Sequence, residues 1–482
     1  MGILSKLEPR EVFAYFEALC AVPHGSGNTA AASDLCVAFA AAHGLRCRRE
    51  PCGNVIIWKP ASPGHEQAPP VMLQGHLDMV CAKTDDCLKD MAKEGLDLRT
   101  DGTWVWADQT SLGGDDGIAV AMMLAILADD TLVHPPLEAV FTVEEETGMD
   151  GAAALDVSDL KSRRLLNLDS EQEGVFTVSC AGGLRSECFL PAELTPADGL
   201  ACFSLTVSGL RGGHSGADIH RGRGSALQLM ARVLYAAAER FPGLRLAALD
   251  GGQFDNVICS CCTASAALPA AQGAAFTDLV RAFAAEVQNE YAVTDPGVTL
   301  TCAPAAAEAA VDPDRTLALL RVLTALPQGV EAMDTDFPGL VQTSMNIGVA
   351  HLTAEGLRVT CSLRSSVSSR KEMLAARVRA IVALAGGTVT EHGRYPGWQY
   401  RRQSAFRDTV VAAYQDVTGR EAVVEATHGG LECGLLIDKL PGLDAVSLGP
   451  DIPDIHSVRE KLSVASTARV YAAVREALRR SV

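Results

Sequence analysis

The chain has 482 residues, 48% of them hydrophobic and 21% charged, which is an ordinary composition for a water-soluble protein. That length exceeds what one hydrophobic core organises, so two domains, or one domain carrying a large insertion, are expected. Lysine and arginine number 41 against 59 aspartates and glutamates, a net charge of −18 that argues against nucleic acid or an anionic membrane as a partner.

In chain order, the N-terminal MGILSKLEPREVF holds no apolar stretch of signal length, and no run downstream reaches the ~18 apolar residues of a membrane span, so a cytoplasmic protein is expected. Residues 7–22 and 29–44 have helical apolar spacing, and 54–58 and 71–74 are short apolar runs bounded by turn residues, hence strands. DDGIAVAMMLAILADD, 115–130, predicts a helix opening on acidic residues, with Asp116 placed to cap it. Residues 137–143 and 164–168 again read as strands, and the alternation predicts an α/β sheet with helices on both faces.

Near residue 187 the pattern changes. ACFSLTVSGL, GLRLAALDGG and NVICSCCTASAAL read as antiparallel strands around the amphipathic helix SALQLMARVLYAAAER. Further helices are expected near 275–290, 314–325 and 368–384, with strands at SMNIGVAHL and LRVTCSLRS. From about 396 the α/β pattern returns, with helices at 404–418, 430–438 and 463–479 and strands at 422–426 and 444–448. The expected organisation is an α/β catalytic domain in two parts, 1–186 and 394–482, interrupted by an α+β domain over 187–393 that is long enough to hold two similar halves. The 15 cysteines are odd in number and lack a framework; CSCC at 259–262 has no second pair for a structural zinc site and reads as packed strand with reduced thiols.

Five segments place histidine or acid just beyond expected strands or at a helix start: His76-Leu77-Asp78, Asp115-Asp116, Glu144-Glu145-Glu146, Asp169-Ser170-Glu171, and the GPDIPDIHS stretch with His456. Each alone reads as a turn, a helix cap or a structural histidine. Ligand sites in open α/β sheets lie at the carboxyl ends of strands, so five such segments point to one pocket. Three like charges in succession repel one another unless something positive faces them. Imidazole with carboxylate suits zinc, manganese or cobalt, and two divalent ions balance three carboxylates and a bridging hydroxide.

The motifs GHLDMV, LGGDDGIAVA, TVEEETGMDG, LLNLDSEQEG, GLRGGHSGADIHRGRG, THGGLECGL and the final HS resemble, in order and over nearly the whole chain, the M20 metallopeptidases, in the branch of the aminoacyl-histidine (Xaa-His) dipeptidases. The resemblance implies a zinc-peptidase-like catalytic domain, a mixed sheet flanked by helices, interrupted by an inserted α+β lid. It implies two divalent metal ions, zinc first and manganese or cobalt as alternatives, with His76 on one, His456 on the other, Asp115 bridging, and Glu146 and Asp169 each on one ion. A cis peptide after Asp115 belongs to the same pattern. Glu145 is implied as the general base, taking a proton from the bridging water and passing it to the leaving amine. Asp78, two residues on from His76, is implied to orient the imidazole. His214 is implied to reach in from the inserted domain as an oxyanion donor, with closure of that domain excluding water.

For substrate, Arg364 in CSLRSS matches a lid arginine for a terminal carboxylate, with Asn256 assisting, and Glu432 is an acid expected at the cleft edge to receive an α-amino group. Two stretches depart from the family pattern: NVICSCC stands where a Pro-Arg-Glu run is usual, and DIHSVRE lacks the usual flanking prolines. The expectation is a cytoplasmic metallo-dipeptidase taking small peptides, with no nucleic-acid or membrane partner and a possible homodimer through the lid. The alternatives are an N-acyl amino acid amidohydrolase or carboxypeptidase of the same superfamily, and a catalytically silent metal-binding scaffold.

Overall fold

The computed structural model describes residues 2–482. The chain divides into two compact units, one formed by Met1–Ser179, Tyr400–Ala426 and Leu431–Val482, the other by Cys180–Gln399 and Thr427–Gly430.

The first unit is built on an eight-stranded sheet in the order Arg46–Arg49, Val55–Lys59, Leu137–Thr142, Val71–His76, Arg164–Asn167, Asp444–Ser447, Val175–Cys180, Val423–Thr427. The four strands Leu137–Thr142, Val71–His76, Arg164–Asn167 and Asp444–Ser447 are mutually parallel and in register, with His76 opposite Thr142 and Ser447 opposite Asn167. Every residue of Val71–His76 and Leu137–Thr142 is buried, as a parallel strand covered on both faces requires. The helix Gly114–Ala128 is apolar all round and buried from Gly114 to Leu127, and it packs on the strand Val71–His76 and the helix Arg10–Cys20. Its regular turns begin only after Asp116: Asp115 and Asp116 have non-helical φ/ψ, and the peptide between them is cis. Asp116, expected to cap this helix, instead accepts the main-chain N–H of His76 at 3.1 Å. Gly75 makes that approach possible, because a Cβ there would lie 2.5 Å from Asp116 Oδ2 and 3.0 Å from Ala119 Cβ.

The second unit is an antiparallel sheet whose chain path repeats. Its first half runs strand Leu200–Ser208, helix Ala226–Arg240, strands Arg245–Gly251 and Cys262–Pro269, helix Gly273–Glu290, strand Thr299–Ala305. The second runs strand Gly182–Pro191, helix Pro313–Ala325, strands Val341–Thr353 and Gly356–Ser365, helix Ser368–Leu384, strand Thr388–Tyr395. Numbered within each half, the spatial order is fourth, first, third, second in both, and the two second strands meet through Asp250–His351 and Gly251–Ala350. The inserted segment thus holds two βαββαβ halves on one sheet. All four helices bury residues in a single core with the strands, among them Met230, Phe276, Leu320 and Val378. The strand expected over 256–268 forms only from Cys262; the segment before it turns back beside His214. The fifteen cysteines are free thiols. Among the described residues no helix is long and apolar enough to cross a membrane.

Candidate metal centre and substrate groups

The four parallel strands of the first unit end at one edge of the sheet, and the acidic and imidazole side chains follow those ends. His76 closes its strand and is 1% exposed. Its Nδ1 lies 3.0 Å from the Asp78 carbonyl oxygen, and an N–H donated there leaves Nε2 as the free lone pair. Nε2 points at carboxylates, 3.3 Å from Asp115 Oδ1 and 3.9 Å from Asp169 Oδ1. The other oxygen of Asp115 lies 3.1 Å from His456 Nε2, which is in turn 2.8 Å from Glu146 Oε1. Asp115 therefore divides its carboxylate between two histidines, one closing the strand Val71–His76 and the other on the loop after Asp444–Ser447. Ligand atoms within 4.8 Å of one another form three groups: Asp115, Glu146 and His456; His76, Asp116 and Asp169; His76, Glu145 and Glu146.

The three successive glutamates separate in direction. Glu144 has a left-handed φ of 58° and turns both oxygens onto the Gly27 N–H, at 2.9 and 2.8 Å. Glu145 and Glu146 then face the histidines. Their main-chain N–H groups are held by Asp78, with Oδ1 accepting from Glu145 at 3.0 Å and Oδ2 from Glu146 at 3.2 Å and from the Ser26 hydroxyl at 2.8 Å. Asp78 Oδ1 is 3.5 Å from His76 Nδ1. The imidazole is thus oriented by the Asp78 main chain, while the Asp78 carboxylate fixes the glutamate turn. His456 also has a left-handed φ, 59°, an uncommon conformation for a residue with a side chain, and such conformations collect at functional sites.

The electrostatics show what the cluster lacks. Among the described residues, no lysine or arginine pairs with Asp115, Glu146 or Asp169; their charged partners are His76 and His456. Burial alone would lower the His76 pKa, but the Asp115 and Asp78 carboxylates outweigh it and hold it well above the usual value. His456 is pushed up to about 10 by Asp115 and Glu146. Asp169 is raised by burial and by Asp116. Burial raises Glu145 to about 8, and Glu432, Glu146 and Asp115 add to the shift. Five carboxylates and two imidazoles in this space require protons or cations between them. The nitrogen and oxygen donors, the free Nε2 atoms and the divided Asp115 carboxylate fit a pair of borderline divalent ions.

The second unit carries the remaining expected residues. His214 sits in an irregular loop, with its N–H held by Asp218 Oδ2 at 2.9 Å. Its Nδ1 accepts from the Gly216 and Ala217 N–H groups at 3.3 and 3.2 Å, so the ring proton is on Nε2, which is left as a donor. Partial burial and Arg364 lower its pKa, keeping the ring neutral. Asn256 is its neighbour: the Asn256 carbonyl accepts from Ser215 at 2.8 Å, and Val257 bridges His214. Arg364 is the last residue but one of the strand Gly356–Ser365, with Nη1 3.5 Å from the Tyr395 hydroxyl. Among the described residues no carboxylate pairs with Arg364, and its buried Nε has no hydrogen-bond partner. His428, given no role in the sequence reading, bonds Ser344 Oγ at 2.7 Å, and Ser344 is the cross-strand partner of Arg364.

Glu432 is where the sequence reading needs correction. It does not stand at a cleft edge: it is fully buried in the first unit, with Oε2 accepting from the Thr142 hydroxyl at 2.6 Å and from the Gln74 amide. Burial raises its pKa to about 7. Its Oε1 has no hydrogen-bond partner. Its helix, Glu432–Lys439, starts at this glutamate and points the side chain inward, which a residue-type reading of HGGLECG does not reveal.

Comparison with known proteins places this geometry. Residues 205–295 match the family model described as Peptidase dimerisation domain, of the M20 group. Over 482 residues, 99% of each chain, the sequence is 36% identical to the cytosol non-specific dipeptidase of Escherichia coli (strain K12). The chain belongs to the M20 peptidase family. A crystal structure of the aminoacylhistidine dipeptidase of Vibrio alginolyticus superposes with a TM-score of 0.91 at 34% identity, covering 99% of this chain and 98% of that one. The aminopeptidase PepT of Bacillus cereus shares the fold at a TM-score of 0.58 and 14% identity, over 98% and 99% of the two chains.

The matched stretch of this M20 peptidase falls within the first βαββαβ half; the second half lies outside it. Sequence reasoning missed the parts that hold the site rather than form it: Ser26 on Asp78, the Gln74–Thr142 pair on Glu432, Tyr395 beside Arg364, and a buried glutamate, Glu460, on the loop before Asp115. Of these only Glu460 had a usable signal, its position four residues after His456.

Proposed function

We propose that this chain is a dinuclear metal-dependent dipeptidase, with His76, Asp115 and Asp169 holding one divalent ion and His456, Asp115 and Glu146 the other. The observation that carries the reading is the Asp115 carboxylate, one oxygen toward His76 and the other toward His456. Ions held there, zinc first and manganese or cobalt next, supply Lewis acidity toward the scissile carbonyl and lower the pKa of a bound water. Glu145, partly desolvated and fixed at its main chain by Asp78, is the base that takes the water proton and returns it to the leaving amine. His214, a neutral imidazole with its proton on Nε2, is the donor to the developing oxyanion. Arg364, unpaired among the described residues, takes the substrate's terminal carboxylate, with Asn256 beside His214 completing the group. The similarity to a cytosol dipeptidase of E. coli supports a cytosolic location, and the dimerisation-domain match supports a homodimer, which sedimentation would test.

A second reading within the same chemistry has its own observation. Glu432 is buried rather than open at a cleft edge, and a site without it as an amine anchor tolerates blocked substrates, as in an N-acyl amino acid amidohydrolase or a carboxypeptidase. One experiment separates these readings: hydrolysis of a panel of free and N-acetylated dipeptides with added zinc or manganese, beside the Glu145→Gln variant. The dipeptidase reading expects free dipeptides to be preferred and the variant to lose about 10²–10⁴-fold in kcat while keeping its ions. Equal turnover of acetylated substrates moves the assignment to the second reading. Full activity in Glu145→Gln removes the assigned base.

A further inference from the structure

Glu460 is 2% exposed and ends the loop that carries His456. Its Oε2 accepts the main-chain N–H of Leu112 at 2.8 Å and of Gly113 at 3.1 Å; its Oε1 accepts those of Gly114 at 2.8 Å and Asp115 at 3.3 Å. Four successive amides thus converge on one carboxylate, the arrangement of an anion-binding nest. The local sequence is built for it. Gly113 takes a left-handed φ of 65°, and a Cβ on Gly114 would stand 3.3 Å from Glu460 Oε1 and 3.2 Å from Ile452 Cγ2. On the other side, Glu460 is anchored by the strand Lys461–Ser463, which begins at the next residue and pairs with Trp104–Ala107.

We infer that Glu460 is a positioning residue for the two-ion centre: by clamping the amides of 112–115 from a point four residues beyond His456, it fixes Asp115 and His456 relative to each other. The separation of Asp115 Oδ2 and His456 Nε2, 3.1 Å, is set between two irregular loops, and the Glu460 carboxylate is the side-chain bond that joins them away from the ligands themselves. The clamp needs a carboxylate, since all four contacts are accepted. An amide places an NH₂ against two of the four N–H donors. This inference rests on the two-ion reading of the site.

The test is ion affinity of the full-length protein, measured by competition of zinc against a chromogenic chelator and by the visible absorption of the cobalt-loaded form, for wild type, Glu460→Gln, Glu460→Asp and a control, Glu138→Gln. Glu138 is also a buried glutamate on main-chain amides, accepting from Lys161 at 2.8 Å and Ser162 at 2.9 Å, but it lies at the opposite end of its strand from the site. The expected result is a loss of about 10–100-fold in ion affinity for Glu460→Gln. A smaller loss is expected for Glu460→Asp, together with a changed cobalt spectrum, an unchanged KM, and recovery of kcat at saturating metal. Glu138→Gln lowers the unfolding midpoint and leaves affinity alone. Unchanged affinity in whichever Glu460 variant folds overturns the inference, as does an equal loss in the control. If wild type binds no ions, the two-ion reading fails instead, so the two failures are distinguishable.

Discussion

Asp78 accepts the main-chain N–H of Glu145 at 3.0 Å, so the residue that follows the first candidate ligand by two positions fixes the start of the turn carrying the base. The same carboxylate holds Glu146 and Ser26. Replacing Asp78 by Asn exchanges one accepting oxygen for a donor and sets it against one of these N–H or O–H groups. Asp78→Asn is expected to lower kcat by about 10–100-fold while the ion stoichiometry stays at the wild-type value. Steady-state kinetics with metal analysis on the same preparation checks this, and a normal kcat would show that the glutamate turn holds itself.

Removing the ions has a structural consequence as well as a catalytic one. Asp115, Glu146 and Asp169 have no lysine or arginine partner among the described residues, so without cations protons must take their place. Extensive dialysis against a chelator is expected to abolish hydrolysis and lower the unfolding midpoint. Restoring zinc to a thousandfold excess over its dissociation constant is expected to return about 4 kcal/mol. Thermal melts against graded ion concentration measure it; a midpoint independent of zinc would place no cation at this cluster.

How much of this was legible in the sequence follows from what a residue pattern encodes. The largely apolar runs of the parallel strands and the apolar helix at 117–128 announce burial directly, and the acidic and imidazole residues at or just past the strand ends mark the sheet edge. Asp115 was expected to face metal and Asp116 to cap the helix; Asp115 faces two histidines, but Asp116 takes the His76 N–H instead, because a two-residue departure from helical φ/ψ turns them apart. Glu432 was misplaced for a related reason: an acid among glycines reads as exposed, whereas Thr142 and Gln74, distant in sequence, provide buried partners. The duplicated path of the second unit was legible only as a length, since its first half is nested in the chain inside the second, whose strands Gly182–Pro191 and Thr388–Tyr395 lie at the two ends of the segment.

Arg364 provides a test of substrate polarity. Its guanidinium has a tyrosine hydroxyl at 3.5 Å and no carboxylate partner among the described residues. A charge-assisted bond is worth roughly 1.5–3 kcal/mol, which corresponds to a change of about 10–100-fold in an equilibrium constant. Arg364→Lys is expected to raise KM by about that factor for dipeptides with a free carboxylate, because a lysine cannot reproduce a planar bidentate pair. For C-terminally amidated analogues the substitution is expected to change KM little. Equal effects on both substrate series would take the carboxylate away from Arg364.

His428 offers a pH dependence in the second unit. It is buried, bonded to Ser344, and faced by Arg364, His214 and His220, while the Val341 carbonyl favours its charged form. Burial and then Arg364 lower its pKa from 6.5 to about 3. Between those values the unfolded chain binds a proton that the folded chain refuses, so stability is full above pH 6.5 and falls as the pH drops toward 3. The loss available from this one group is on the order of 5 kcal/mol at the acid end. Gln in its place keeps a hydrogen-bonding group toward Ser344 and does not titrate. Urea unfolding of wild type and His428→Gln between pH 7.5 and 4.5 should therefore give a stability difference that moves in favour of the variant as the solution is acidified. Parallel curves would mean that His428 takes up its proton in the folded state, and its neighbours would then have to accommodate a second cation beside Arg364.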